Sequence, residues 1–252
     1  MNTNRQETLS KVPEVTLIFW IIKILATTLG ETGGDALSMS MNLGYLVSTG
    51  IFAALFIAAV TAQVSANKFR PVLYWTTIIA TTTVGTTLAD FTDRSLGIGY
   101  AGGSSILFTL LMVSLFVWHR ALGSIAVDTV SSPKSEMFYW VTIMFSQTLG
   151  TALGDWTSDT AGLGYGGGAI VFGAMLAGVA VAYYRTKISR TALFWAAFIL
   201  TRPLGAVVGD FLDKPIIKGG LNLSRYSASA VIFVLIVACI YIFPHKPAQE
   251  GH

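Results

Sequence analysis

Long apolar runs, broken at regular intervals by short polar or glycine-rich connections, make up nearly the whole of this chain. Eight of them, at roughly 14–35, 42–66, 71–90, 101–122, 136–155, 165–186, 190–210 and 224–243, come close to the about 20 residues a helix needs to cross a bilayer core. Their length and their lack of alternation exclude strands. The pattern predicts an all-α, polytopic membrane bundle of eight transmembrane helices. Polar positions inside the odd-numbered runs fall in steps of four, which keep to one helix face. They read Lys23, Thr27, Glu31, Asp35 in the first run and Ile78, Thr82, Thr86, Asp90 in the third. The fifth gives Ile143, Gln147, Thr151, Asp155 and the seventh Phe198, Arg202, Ala206, Asp210. The other faces are Leu, Ile, Val, Phe and Ala, so the stripes predict a shared polar lining.

The stripes belong to a repeat. Trp20, Trp75, Trp140 and Trp195 each precede an aspartate by fifteen residues, with a glycine at ten (Gly30, Gly85, Gly150, Gly205). A small residue stands at fourteen (Gly34, Ala89, Gly154, Gly209) and another glycine at twenty-four (Gly44, Gly99, Gly164, Gly219). A unit is two helices joined beyond the aspartate. Four units, at 14–66, 71–122, 136–186 and 190–243, fill a single membrane domain over 1–252. The tryptophans are 55, 65 and 55 residues apart, and the ten extra residues fall in a loop at 121–135, which predicts halves at about 1–120 and 135–252. An even number of spans per unit gives all four one orientation about an axis along the membrane normal, where a site is most readily built. Four tandem two-span units with one tryptophan each resemble a family of bacterial inner-membrane proteins defined by a repeat of unknown function. The resemblance runs from Trp20 to Phe243 and carries Trp20, Trp75, Trp140 and Trp195 onto the repeat's tryptophan. It implies a multi-pass protein of the bacterial inner membrane and no particular chemistry.

Composition agrees with a membrane chain: 53% of the 252 residues are hydrophobic and 12% charged, against about a quarter charged in soluble domains. The net charge of +3 bears on topology rather than on nucleic acid, because the basic residues fall unevenly. Ten (Arg5, Lys11, Lys68, Arg70, Arg120, Lys134, Arg185, Lys187, Arg190, Lys246) lie in the termini and even-numbered connections, and four (Arg94, Lys214, Lys218, Arg225) in the odd ones. The positive-inside rule then places both termini in the cytoplasm. The tryptophans are expected as anchors at the cytoplasmic interface, where an amphipathic indole is favoured. Tyr45, Tyr100 and Tyr165, each after a glycine, are expected in an interfacial belt. The aspartates stand about 22 Å further along the helix, towards the outer leaflet. The first run holds Lys23, Glu31 and Asp35 and lacks a small-residue cleavage pattern, so it reads as a retained span. The single cysteine, Cys239, excludes an internal disulfide.

Eight of the thirteen acidic residues gather at the outward ends: Glu31, Asp35, Asp90, Asp93, Asp155, Asp159, Asp210 and Asp213. Carboxylates at bilayer depth are costly, and the negative end of a helix dipole disfavours them further, so they call for compensating positive charge. Arg202, Lys23, Arg94 and Lys214 offer it internally; the other source is a bound cation. Oxygen ligands suit a hard divalent ion such as Mg²⁺, Ca²⁺ or Mn²⁺. The candidate ligands are Glu31, Asp35, Asp90, Asp155 and Asp210, with Thr82, Thr86, Gln147 and Thr151 along the path. His119, His245 and His252 fall in cytoplasmic loops or the tail, which disfavours a zinc or copper cage. Gly30/Gly34, Gly85/Ala89, Gly150/Gly154 and Gly205/Gly209 are small-xxx-small pairs that let helices pack closely. Lys23 and Arg202 break the fourfold pattern. Lys23 is placed to snorkel, and Arg202-Pro203 to mark a kink with exposed carbonyls. No phosphate loop, nucleic-acid face or nucleophile–base set stands out. The expectation is a secondary transporter, without cofactor or enzymatic activity, whose partners are the bilayer and a small ion. It would export a hard divalent cation such as manganese, or move a cation against protons. Two alternatives stay open: a carrier of small organic or anionic solutes using Lys23 and Arg202, and a scaffold whose acids only pair the repeats.

Overall fold

The computed structural model describes residues 10–249; Arg5 and His252 lie outside them. Eight α-helices follow in order: α1 Leu17–Asp35, α2 Gly44–Ser65, α3 Pro71–Asp90, α4 Gly99–Leu122, α5 Pro133–Asp155, α6 Gly164–Arg185, α7 Arg190–Asp213 and α8 Arg225–Ile242. Local chemistry sets several starts. Thr16 caps α1 by accepting from the Phe19 amide, and Ser132 and Ser135 form a capping box that starts α5 at Pro133 rather than at 136. Pro71 and Pro133 stand in first turns, where a missing N–H leaves no helical bond unmade.

After Asp35, Asp90 and Asp155 the chain winds through a five-residue π-helical turn (Ala36–Ser40, Phe91–Ser95, Trp156–Thr160). In the fourth unit α7 instead continues past Asp210 to Asp213. Gly44, Gly99, Gly164 and Gly219 have φ of 74°, 75°, 63° and 86°. Glycine enters that left-handed region without a Cβ clash, which explains its recurrence at this point of every unit.

The inner helices α1, α3, α5 and α7 pack in cyclic order, each against the next and α7 back against α1. The outer helices are displaced by one unit: α2 packs on α3, α4 on α5, α6 on α7, and α8 closes the circle on α1. The two helices of one unit therefore diverge after their turn, and each unit completes its neighbour.

Among the described residues six helices are long and apolar enough to cross a membrane: α1, α2, α4, α6, α7 and α8. Helices α3 and α5, also expected as spans, fall short because of what they bury. Thr77, Thr81, Thr82, Thr83, Thr86 and Thr87 of α3 and Glu136, Ser146, Gln147 and Thr148 of α5 are all inside. The threonines return their hydroxyls to carbonyls one turn back, as Thr83 does to Ile79 at 2.6 Å and Thr81 to Thr77 at 2.9 Å, so they carry no unmet donor into the interior. The outer helices show the opposite surface: Leu46, Ile57, Phe108, Phe116, Ile170, Val181, Val231 and Val234 are exposed. An apolar belt of that extent has no place in water. The chain is a membrane-associated protein.

Candidate functional site

Small residues bring the inner helices together at two levels. A Cβ at Gly85 would lie 3.1 Å from Gln147, and Gly30, Gly150 and Gly205 likewise receive Thr82, Arg202 and Thr27. At the second level a Cβ at Gly34 would lie 3.1 Å from Thr86, at Gly154 2.9 Å from Ala206 and at Gly209 2.7 Å from Glu31. Each glycine thus accepts the residue seven or eleven places after the next unit's tryptophan, and the fourth unit closes on the first. The stripe residues sit at these seams rather than on an open lining. Thr82 donates to the carbonyl of Ala26 at 3.2 Å and Thr86 to that of Gly30 at 3.1 Å, stitching α3 to α1.

Beyond the glycines the carboxylates converge. Glu31, Asp35 and Asp210, all buried, each offer an oxygen within 4.8 Å of the others, a group compatible with cation binding. Cations stand at the seams. Lys214 pairs with Asp35 and lies 3.0 Å from Asp210, joining the first and fourth units. Arg94 lies 3.1 Å from Asp90 and 2.9 Å from Asp155, joining the second and third. Asp90 and Asp155 therefore gather around Arg94, outside the three-carboxylate group. Arg225, from α8, lies 2.6 Å from Asp213 and 3.7 Å from Asp35. When all are ionised, five buried aspartates (Asp35, Asp90, Asp155, Asp210, Asp213) face three cations (Arg94, Lys214, Arg225), an excess of two negative charges. Lys214 lies just past α7. Burial works against its charge, yet Asp210 and Asp35 outweigh it and hold the ammonium well above the ordinary lysine pKa. Asp93 is buried against Gly103 of α4, and Asp159 is exposed, accepting from Tyr100 at 3.3 Å; neither joins the layer. Tyr45 and Tyr100, expected in an interfacial belt, accept hydrogen bonds from Arg94 at 3.1 Å.

Eight residues before Asp210, about two turns nearer the tryptophans, stands Arg202, fully buried. Its Nη2 donates to Glu31 at 3.0 Å, to Thr86 at 2.6 Å and to Thr151, so one side chain of α7 reaches all three other inner helices. Pro203 stays inside a continuous α7, its ring against Gly150. Lys23, expected to snorkel, is fully buried, with its Nζ 4.1 Å from the Phe198 ring centroid and without a hydrogen-bond partner. Enclosure of α1 by α3, α7 and α8 leaves it no path to the surface. Gln147 is equally buried and neither amide atom is partnered.

The tryptophan end is closed. Trp75, Trp140 and Trp195 are buried and Trp20 half-buried, with Phe19, Tyr74, Trp118, Tyr139 and Phe194 among them. Ring centroids lie 5.3 Å apart for Phe19–Trp75 and 5.8 Å for Trp118–Trp195, and the Tyr74 and Tyr139 hydroxyls share a 2.6 Å hydrogen bond. The repeat tryptophans, expected as lipid-interface anchors, form a plug instead, because neighbouring aromatics from several helices offer each indole edge and face contacts. A strap that the sequence did not announce covers the plug. Lys11 N donates to Val130 O at 2.9 Å, Ala248 N to Val12 O at 2.8 Å, and Lys11 Nζ lies 2.6 Å from Glu136. Trp195 donates to the Ile125 carbonyl at 3.0 Å. The segments near both chain ends and the 121–135 loop thus meet over one end of the ring. His119 lies in the last turn of α4 rather than in a loop.

A family model described as a repeat of unknown function, DUF347, matches the chain four times, at residues 18–69, 73–123, 138–189 and 193–243. No curated protein and no solved structure matches it.

Proposed function

The chain belongs to the DUF347 repeat family, and from the geometry of its ring we propose that it is a secondary transporter for a hard divalent cation, manganese-like, exchanged for protons. In this reading all eight helices span the bacterial inner membrane as four parallel two-helix units. Both termini and the tryptophan plug lie on the cytoplasmic side, and the protein is not an enzyme. The observation that carries it is the meeting of Glu31, Asp35 and Asp210 within 4.8 Å inside the ring. Oxygen ligands at that spacing suit a hard ion. Beside the group, Asp35, Asp210 and Asp213 face Lys214 and Arg225, which leaves one negative charge for a bound cation or a proton to offset; the layer's other surplus charge lies with Asp90 and Asp155 around Arg94. The Lys214 ammonium bridges Asp35 and Asp210, so it competes with a cation for the same oxygens. The aromatic plug and its strap make this the form closed towards the cytoplasm.

The test is Mn²⁺ flux into proteoliposomes under a proton gradient. Asp90→Asn/Asp155→Asn/Asp210→Asn is expected to abolish flux while the parent transports; unchanged flux in the triple variant overturns the reading. One observation favours a second reading, a non-transporting scaffold: each of the five layer aspartates already has an internal cation partner. A scaffold gains no thermal stability from added Mn²⁺, whereas a protein that binds the ion does.

A further inference from the structure

Just past the layer aspartates the four units differ at one buried position. Eighteen residues after the tryptophans stand Ser38, Asp93, Ser158 and Asp213, all buried. Ten residues further on, a glycine of the outer helix makes room for two of them. A Cβ at Gly168 would lie 3.5 Å from Ser158 Oγ, and one at Gly103 would overlap Asp93 Oδ1. The first and third units therefore place a neutral hydroxyl here. The fourth places an aspartate together with a cation, since Arg225 lies 2.6 Å from Asp213. The second has the aspartate without the cation. Neither oxygen of Asp93 has a hydrogen-bond partner, and among the described residues it is the one buried acid outside every ion pair.

The groups around Asp93 are engaged elsewhere. Its π-helical turn packs on α2, α3 and α4, whose titratable residues at this end are Tyr45, Asp90 and Tyr100. Arg94, the next residue, turns Nε to Tyr100 and Asp90, Nη1 to Tyr45 and Nη2 to Asp155. A buried carboxylate without a counter-charge is costly, and taking up a proton removes the cost. We infer that Asp93 is a proton-binding site, loaded as a neutral acid against Gly103 and unloaded as a carboxylate. Burial raises its pKa to about 6, with Arg94 acting in the opposite direction, so the site fills and empties close to neutral pH. Residues Arg94 to Ile98 are exposed, which leaves the proton a short path out of the bundle. As the seat of the exchanged proton, Asp93 rests on the transport reading; as a proton site it does not.

Infrared spectra of the purified protein read the proton directly. The parent is expected to show a carboxylic-acid carbonyl band that Asp93→Asn lacks, present at about pH 5 and gone by about pH 8. Thermal unfolding gives a second reading. The folded state holds this proton more tightly than the unfolded one, so the parent loses stability as pH rises through the folded pKa. Asp93→Asn, neutral throughout, is expected to melt above the parent at about pH 8, with the gain fading as pH falls towards about 4. Asp213→Asn, which strands Arg225, is expected to melt below the parent at the same pH. Absence of an Asp93-dependent band, or an Asp93→Asn variant less stable than the parent at the higher pH, overturns the inference. In proteoliposomes Asp93→Asn is expected to retain Mn²⁺ binding while its Mn²⁺ flux no longer responds to the proton gradient; flux still driven by the gradient overturns the exchange role. A parent that moves no Mn²⁺ overturns the transport reading instead, and the infrared band then decides the proton site alone.

Discussion

Arg202 is where a single side chain has most influence over the rest. It crosses the ring to Glu31, Thr86 and Thr151 at zero exposure, so its removal strands a carboxylate at depth as well as breaking three contacts. Breaking one partner of a buried pair costs about 3–5 kcal/mol, whereas replacing both with neutral groups is often far milder. Arg202→Met is therefore expected to lower stability by about that amount, and Arg202→Met/Glu31→Gln to recover most of it, both read from detergent unfolding midpoints. Equal losses in the single and double variants would show that Glu31 is not the stranded group. At this scale the sequence was partly legible. Arg94 and Lys214 stand four residues after Asp90 and Asp210, and that spacing alone puts each on its aspartate's face. Arg225 gave no such signal. It reaches Asp35 because α8 packs on the first unit, a fact of tertiary closure, and Asp213 across the turn of its own unit.

At the scale of helices the glycine spacing predicted close approach, and the structure supplies the partners. Gly209 faces Glu31 of α1, with no room for a methyl group, while Gly33 on α1 has nothing within 4 Å of an added Cβ. Gly209→Ala is expected to force α7 from α1 at a cost of about 1–3 kcal/mol. Gly33→Ala is expected to stabilise by about 0.5–1 kcal/mol, since alanine is the better helix former. The comparison uses the same substitution in the same protein, read by thermal unfolding. A similar loss at both positions would mean that glycine flexibility, not space, matters at the seam. The length and apolarity of the runs were enough to locate every helix to within a few residues. They did not reveal that the polar stripes lie at helix seams, because a period of four marks a face without saying what faces it. The tryptophans were misread for a related reason: an indole at a helix end suits both a lipid interface and a plug, and only the surrounding Phe19, Tyr74, Tyr139 and Phe194 decide between them.

For the whole molecule, the repeat announced four equal units, but not that each outer helix belongs structurally to the next unit. Both pairings have the same periodicity. The ring that results has an aromatic plug under a strap at one end and a carboxylate layer at the other, with Arg202 between them. The ten extra residues of the 121–135 loop, read as a divider between halves, help build the strap. The proposed transport stands on the Glu31, Asp35 and Asp210 group holding a divalent cation. It is tested most directly by titrating purified protein with Mn²⁺ and following the free-ion electron paramagnetic resonance signal. One saturable site per chain, lost in Asp35→Asn/Asp210→Asn and weakened as pH falls and the carboxylates protonate, is the predicted result. No saturable binding by the parent, or binding unchanged in the double variant, would contradict it.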